Sequence, residues 1–319
     1  MNQMPFFSVI IPVYNKEKFI EKTLQSVLNQ TFSDFEVIVI DDFSSDKSLN
    51  LAEKFVSENL RIIQHKENKG LSATRNTGIV NSNGVVMAFL DADDTWEVGY
   101  LEKIHSLHIK FPEAKLLATN YTDVFANNST MTPKNFFIQN EDDILIDNFF
   151  EVSCSKPIYF PGSLCVFKSV FENVGFYDEE ITFAEDIDFN IRANNKFKLA
   201  YSPKSFVKYV QFSENQITNS SFKNKKIPNL NKYENYARNN SSLKKYLDFN
   251  RYIFVKMYKQ ENCLEKANEL IKEINPNSLN FKQKILLHSP SFFLIYLKKI
   301  KHFLIQKGII ISSYYYKSR

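Results

Sequence analysis

Over the first two hundred residues, apolar positions come in short β-branched runs separated by stretches with helical spacing. Phe7-Ser8-Val9-Ile10-Ile11-Pro12-Val13 is such a run, and its near-continuous hydrophobicity predicts a strand buried on both faces. Ile20, Leu24, Val27 and Leu28 then recur at helical intervals, with Asn15 placed to cap the helix they mark. A second strand is expected over 36–40 and a third over 61–65, with Leu49, Ala52, Phe55 and Val56 marking the helix between them. Helix follows from about Ser72, a fourth strand spans 85–90, and Leu101, Ile104, Leu107 and Phe111 mark another helix. Strands alternating with helices imply an α/β fold with a mainly parallel, twisted sheet flanked by helices. Such sheets bind ligands beyond the carboxyl ends of their strands. Three polar clusters fall at those ends: Tyr14-Asn15, Asp41-Asp42, and Asp91-Ala92-Asp93-Asp94.

From about residue 216 the pattern changes. Asn, Lys and Ser dominate through Leu243, and helical spacing resumes at Leu264, Ala267, Leu270, Ile271 and Ile274. The expected division is therefore an α/β domain over 1–215 and a smaller helical region over 216–319. Charge sharpens it. Residues 1–187 hold 15 Lys+Arg against 28 Asp+Glu, and residues 188–319 hold 25 against 8. Halves so different are expected to meet different partners. Cys154, Cys165 and Cys263 are odd in number and far apart, which favours free thiols over a disulfide framework or a zinc site. Met1-Asn2-Gln3-Met4-Pro5 is not the start of a signal peptide, and no run of about 18 apolar residues suggests a spanning helix. The expected location is the cytoplasm.

The acidic cluster can be read in two ways. In an extended segment Asp91 and Asp93 would point the same way, and two close carboxylates repel unless a cation lies between them. A hard divalent ion bridging carboxylate and diphosphate oxygens would satisfy the pair, but Asp also favours turns and N-caps. Asn68-Lys69-Gly70-Leu71-Ser72-Ala73-Thr74-Arg75-Asn76-Thr77-Gly78 joins a loop to a helix start. Backbone N–H groups there suit phosphate and Arg75 adds charge, while Gly78 is equally explained by close packing. Ala184-Glu185-Asp186-Ile187-Asp188 places three acids in one helical turn. They serve the helix dipole, or supply a general base. The five histidines show no ligand spacing, and dinucleotide, P-loop and GxSxG signatures are absent from the sequence.

Together these segments resemble the family 2 glycosyltransferases, inverting enzymes of the GT-A (nucleotide-diphospho-sugar transferase-like) fold. The resemblance covers about residues 6–215 and rests on SVIIPVYNKEKFIEKTLQSVLNQTFSDFEVIVIDDFSSD, NKGLSATRNTGI, FLDADD and GFYDEEITFAEDIDFNIR, in family order. It implies that Pro12, Val13, Tyr14, Asn15 and Glu17 meet the nucleotide. It puts Asp42 at the base, and Gly70, Arg75 and Asn76 near ribose and diphosphate. Asp91, Ala92 and Asp93 would form the DxD element, with Asp91 and Asp93 holding Mn²⁺ or Mg²⁺. Asp186 would be the catalytic base, with Glu185 beside it for the acceptor. Two departures stand out: Phe43 occupies a position often held by Gly, and Tyr209-Val210-Gln211-Phe212-Ser213 lacks the His that many members carry, leaving a third metal contact unassigned.

The implied reaction is inverting transfer of a hexosyl or N-acetylhexosaminyl unit from a nucleotide-diphosphate donor, expected to be a UDP-sugar, to a hydroxyl of a glycan or lipid-linked acceptor in cell-surface polysaccharide synthesis. The rival from another class is a non-catalytic nucleotide-sugar-binding module of the same fold. Residues 281–319 carry eight Lys+Arg and no acid. Phe292, Phe293, Tyr296, Leu297, Ile300, Phe303 and Leu304 form one helical stripe, with Lys298, Lys301 and His302 off it and Lys299 and Lys307 blurring its edge. That amphipathic pattern suits an anionic membrane surface, the inner face of the cytoplasmic membrane, or else a helix packed on the catalytic domain. No recognition motif for nucleic acid accompanies the charge.

Overall fold

The structure, a computed structural model, describes residues 4–135, 138, 142–154 and 156–306; Met1–Gln3 and Lys307 onward lie outside the described residues. The apolar runs become strands and the periodic stretches become helices. β1 (Phe7–Val13) leads through α1 (Ile20–Leu28) to β2 (Phe35–Asp41), and α2 (Ser48–Glu53) leads to β3 (Leu60–Gln64). The chain then returns through α3 (Leu71–Val80) to β4 (Val86–Phe89), which pairs with the other edge of β1. These four strands are parallel, in the order β3-β2-β1-β4. Every residue of β1 and β2 is buried, which is why both read as continuous apolar runs. Gly78 of α3 lets that helix press onto β1, since a Cβ there would collide with the Ile10 side chain.

Beyond β4 the sheet is mixed. β5 (Thr95–Trp96), α4 (Tyr100–Lys110), β6 (Leu116–Val124), β7 (Thr130–Met131), β8 (Ile144–Ile146) and α5 (Phe149–Val152) come next. They are followed by β9 (Leu164–Phe167), α6 (Lys168–Val174), α7 (Glu185–Asn194) and β10 (Leu199–Val210). β9 inserts antiparallel between β4 and β6, β10 runs parallel to β6, and β5 and β8 pair antiparallel with β10. The expected parallel sheet thus describes the first four strands, and a mixed extension completes the layer. One expectation fails: Asn15 does not cap α1, whose N-cap is Phe19 without a side-chain bond. Asn15 lies instead at φ 52° and accepts from Ser45 N (2.8 Å), bracing the loop after β2.

Residues 216–240 hold only short helical turns, including α8 (Glu234–Ala237), before the long α9 (Ser241–Gln260). α9 starts where Asn240 caps it by accepting from Leu243 N (3.0 Å), and its Tyr246 packs on Phe149 and Phe150 of α5. One hydrophobic cluster runs from β1 to Leu287, so the helical region packs on the sheet layer. α10 (Leu264–Glu273), α11 (Phe281–His288) and α12 (Ser291–Gln306) complete it. Among the described side chains of α12 only Leu294 is buried, so the stripe named from the sequence faces largely outward: Phe292, Phe293, Tyr296 and Phe303 are exposed, and Leu297, Ile300 and Leu304 half-buried. Among the described residues, no helix is long and apolar enough to cross a membrane.

Candidate active site

Because the chain leaves β1 toward β2 and β3 and then returns to the opposite side of β1, the carboxyl ends of β1 and β4 lie at the switch point of the strand order, the edge where such sheets bind ligands. Pro12 and Val13 are buried there, and Tyr14, the next residue, is 45% exposed. Glu17 and Asp46 brace the neighbouring turn, Glu17 Oε2 accepting from Lys47 N (3.1 Å) and Asp46 Oδ2 from Glu17 N (3.1 Å). Asp42 sits at the end of β2, but its carboxylate is already engaged. It accepts from Lys69 N (2.8 Å) and Gly70 N (2.9 Å) and meets His65 Nδ1 at 2.7 Å. The residue matched to base contact therefore holds the loop that opens α3. Beside it, Asp41 Oδ1 is buried with no hydrogen-bond partner. Gly70, at φ 87°, supplies the left-handed backbone that turns this loop into the helix.

The Asp91–Asp94 segment is a turn, closed by Asp94 N donating to Asp91 O (3.0 Å), because β4 ends at Phe89. The alternation expected of an extended segment does not apply, and the two carboxylates find separate cations. Asp91 Oδ1 accepts from Arg75 Nη2 (2.9 Å) and keeps 27% of its side chain exposed. Asp93 Oδ2 accepts from Lys16 Nζ (2.7 Å) and from the Ser213 hydroxyl, and is almost covered. Asp94 points inward to Val210 N (2.8 Å); burial, with Asp93 and Asp91 adding, pushes its pKa up. Thr23 Oγ1 donates to Ala92 O (3.0 Å) and Asp94 O (2.8 Å), which fixes the turn on α1.

Arg75 joins this turn to the acids of α7. It is 1% exposed, and its Nη1 donates to Glu185 Oε1 at 2.5 Å. Burial opposes its charge, but Asp91 and Glu185 more than reverse that and raise its pKa. Asn76, the next residue, bonds Tyr177 N and O and Glu179, clamping α3 to the segment before α7. Ala184, just before Glu185, is held at φ 62°, a left-handed conformation that costs a non-glycine residue about 1–2 kcal/mol.

Asp186 and Asp188 share one helical turn and have opposite surroundings. Asp188 salt-bridges Arg192 (2.9 Å) and Lys232 (2.5 Å) and accepts from Tyr233 OH (2.6 Å). These contacts outweigh its burial and hold its pKa down. Asp186 is partly exposed and lies among Tyr159, Tyr177 and Tyr246, whose hydroxyls all feel its charge. Enclosure by its surroundings, with the adjacent Glu185 charge adding, raises its pKa to about 7. A carboxylate so placed is a competent general base near neutral pH.

The sequence reading missed Lys16, Ser213 and Tyr246. Lys16 directly follows the first polar cluster and could have been found there. Ser213 sits in the segment whose missing His had been noted, and Tyr246 comes from α9, with no local signal linking it to the site. Among the described residues, no group of three or more His, Cys, Asp or Glu gathers as a cation cage. One or two carboxylates nonetheless suit an ion that completes its shell with diphosphate oxygens and water. Asp91 and Asp93 suit that limited role by their chemistry, with Lys16 holding Asp93 in this structure.

A profile of glycosyl transferase family 2 matches residues 8–175, from β1 to the glycine that ends α6. The chain is 28% identical over 194 residues to an uncharacterized glycosyltransferase, EpsJ, of Bacillus subtilis strain 168; the match covers 60% of this chain and 56% of that protein. It is 34% identical over 122 residues to the UDP-Glc:alpha-D-GlcNAc-diphosphoundecaprenol beta-1,3-glucosyltransferase WfgD of Escherichia coli, covering 38% of this chain and 47% of that protein. The chain thus spans about half the length of these relatives. Among solved structures, residues 1–349 of S. aureus TarS in complex with UDP-GlcNAc are similar at a TM-score of 0.65 and 19% identity, over 95% of this chain and 92% of that one. At that identity the likeness is one of fold.

Proposed function

The chain belongs to glycosyl transferase family 2, and from that premise we propose that it is an inverting transferase moving a sugar from a UDP-sugar to a hydroxyl of a glycan or lipid-linked acceptor. The observation that carries the reading is buried Arg75, which binds Asp91 on one side and Glu185, next to Asp186, on the other. A donor site and a base site are thereby held in one rigid frame. Binding of UDP-GlcNAc by TarS, and the glucosyl donor and lipid-linked acceptor named for WfgD, support the substrate classes.

In the proposed reaction Asp186 accepts the proton of the acceptor hydroxyl. That oxygen bonds the anomeric carbon as the bond from this carbon to the diphosphate oxygen breaks, so configuration inverts. Glu185 stays paired with Arg75 and orients the acceptor side. Tyr14 and the Pro12–Glu17 turn border the nucleotide, with Asp42, Gly70 and Asn76 holding the loop and helix beside it. A divalent ion, Mn²⁺ or Mg²⁺, held by Asp91 and Asp93 through the Asp91-Ala92-Asp93 turn, would neutralise charge on the departing diphosphate when bound.

Residues 1–215 form the catalytic unit in this reading, and 216–319 an appended unit with a second task. The exposed Phe292, Phe293, Tyr296 and Phe303 lie beside exposed Lys298 and Lys299, which suits docking on an anionic membrane where a lipid-linked acceptor resides. Replacing Phe292 and Phe303 by Ser in the full chain should cut sedimentation with phosphatidylglycerol vesicles; unchanged sedimentation sinks that part. The central reading is tested by nucleotide release from UDP-, GDP- and dTDP-sugars with Mn²⁺ and an acceptor mixture. Folded protein that binds none of these donors would refute it.

A further inference from the structure

Lys16 is 9% exposed, and its ammonium has three partners: Asp93 Oδ2 at 2.7 Å, Glu214 O at 2.7 Å and Ser213 Oγ at 3.3 Å. Ser213 donates to the same Asp93 oxygen. The strap that carries Ser213 and Glu214 is itself tied to the loop after β1, by Lys18–Glu214 (2.6 Å) and by Asn215 Nδ2 donating to Asn15 O (3.2 Å). The Asp93 carboxylate is thus neutralised from inside the protein, by a residue of the turn that follows β1.

We propose that Lys16 is an internal competitor of the divalent cation: it occupies Asp93 when no donor is bound, and a cation gains Asp93 only by displacing it. The proposal rests on the reading of Asp93 as a cation ligand. An ammonium and a divalent ion held at contact distance on one carboxylate repel each other, so each weakens the other's hold on Asp93. Lysine suits the exchange: its charge is a single point on a flexible four-carbon stem, so it can leave without rebuilding a planar, two-pronged contact. A diphosphate supplies oxygens to the incoming ion and an anion for the released ammonium, so cation and nucleotide bind together. The bare protein then holds a divalent ion weakly.

Free Mn²⁺ measured by electron paramagnetic resonance at pH 8 reads this directly, for the full chain, Lys16→Met, Lys16→Gln and Asp93→Asn, each with and without UDP. Lys16→Met and Lys16→Gln should bind Mn²⁺ without UDP at least tenfold more tightly than the parent, and UDP should improve the parent's affinity far more than theirs. Thermal melting shows which variants are folded, and the Gln variant keeps a hydrogen-bonding group should the Met variant fail. Equal Mn²⁺ affinity of parent and folded Lys16 variants overturns the competitor role. If Asp93→Asn still abolishes UDP-dependent Mn²⁺ binding, the ligand reading survives that failure. If Asp93→Asn leaves such binding intact, the ligand reading and the competitor role fall together.

Discussion

Among the described residues two arginines are fully buried, and the difference between their settings separates the strand-end site from the helical region. Arg251 of α9 meets Asp248 (2.9 Å), Asn231 (2.7 Å) and Glu234 (2.7 Å), with Glu273 3.4 Å from its Nε. Of its acids, Asp248 is 0% exposed and also holds Lys244 (3.1 Å), Ser278 (2.7 Å) and Asn275 N (3.3 Å), while the partly exposed Glu234 and Glu273 also hold Lys244 (2.9 Å) and Asn231 (2.7 Å), respectively. This network joins successive helical segments to one another and leaves no acid to spare. Arg75 holds two carboxylates, Asp91 and Glu185, and Glu185 stands beside Asp186, whose pKa is raised. A buried charge whose acids are each tied to further groups of the protein serves architecture. One whose acids adjoin a base with a raised pKa serves chemistry.

That contrast can be broken experimentally, and the largest effect is expected at the base. Asp186→Asn should lower kcat by about 10²–10⁴-fold, the range for loss of a general base, without lowering the melting temperature. Because enclosure and Glu185 raise the Asp186 pKa, its ionised form is disfavoured in the folded state. Its contribution to stability falls as pH rises from the unfolded value toward 7, so the Asn variant should melt no lower than the parent at pH 8. Near-parental turnover in the folded variant would remove Asp186 from the mechanism.

Next come the arginines. Arg75→Met and Arg251→Met each strand buried carboxylates and should destabilise by about 3–5 kcal/mol. They should differ in what survives: folded Arg251→Met keeps its donor affinity and kcat, whereas Arg75→Met loses both. Equal kinetic damage in the two variants would erase the distinction. A pH–rate profile should show kcat falling on the acid side of about 7 as Asp186 takes up its proton, by about tenfold per unit well below it. In Asp186→Asn that limb should vanish from the residual rate. The smallest effect belongs to Phe43, exposed and held at φ 63° at the position where relatives in the resemblance often have Gly. Phe43→Gly should leave kcat alone and change stability by at most about 1 kcal/mol, upward, as relieved strain outweighs the freer unfolded chain; a loss larger than that in chemical denaturation would show the ring has work of its own.

Much of the α/β half was readable from the chain because burial on both faces leaves an unmistakable mark. β1 and β2 carry uninterrupted apolar runs, and helices such as α1 and α4 carry 3.6-residue spacing. Parallel strands then force their polar carboxyl ends to one edge, so Tyr14, Asp42 and Asp91 could be grouped before any coordinates existed. The acids of α7 were equally visible, but only as a cluster. Their division into a cation-held Asp188 and a poised Asp186 depends on Lys232, Tyr233 and Tyr246, which are 44 or more positions away in sequence.

What the chain determined alone is therefore local: which segments are strands, where they end, and which acids and bases stand at those ends. Only the tertiary structure decided the pairings. It gave Asp42 to the loop before α3, Asp91 to Arg75 and Asp93 to Lys16, and it turned the aromatic side of α12 outward. Periodicity records how a residue faces its neighbours along the chain, whereas a charge chooses its partner through space among groups that folding alone brings within a few ångströms.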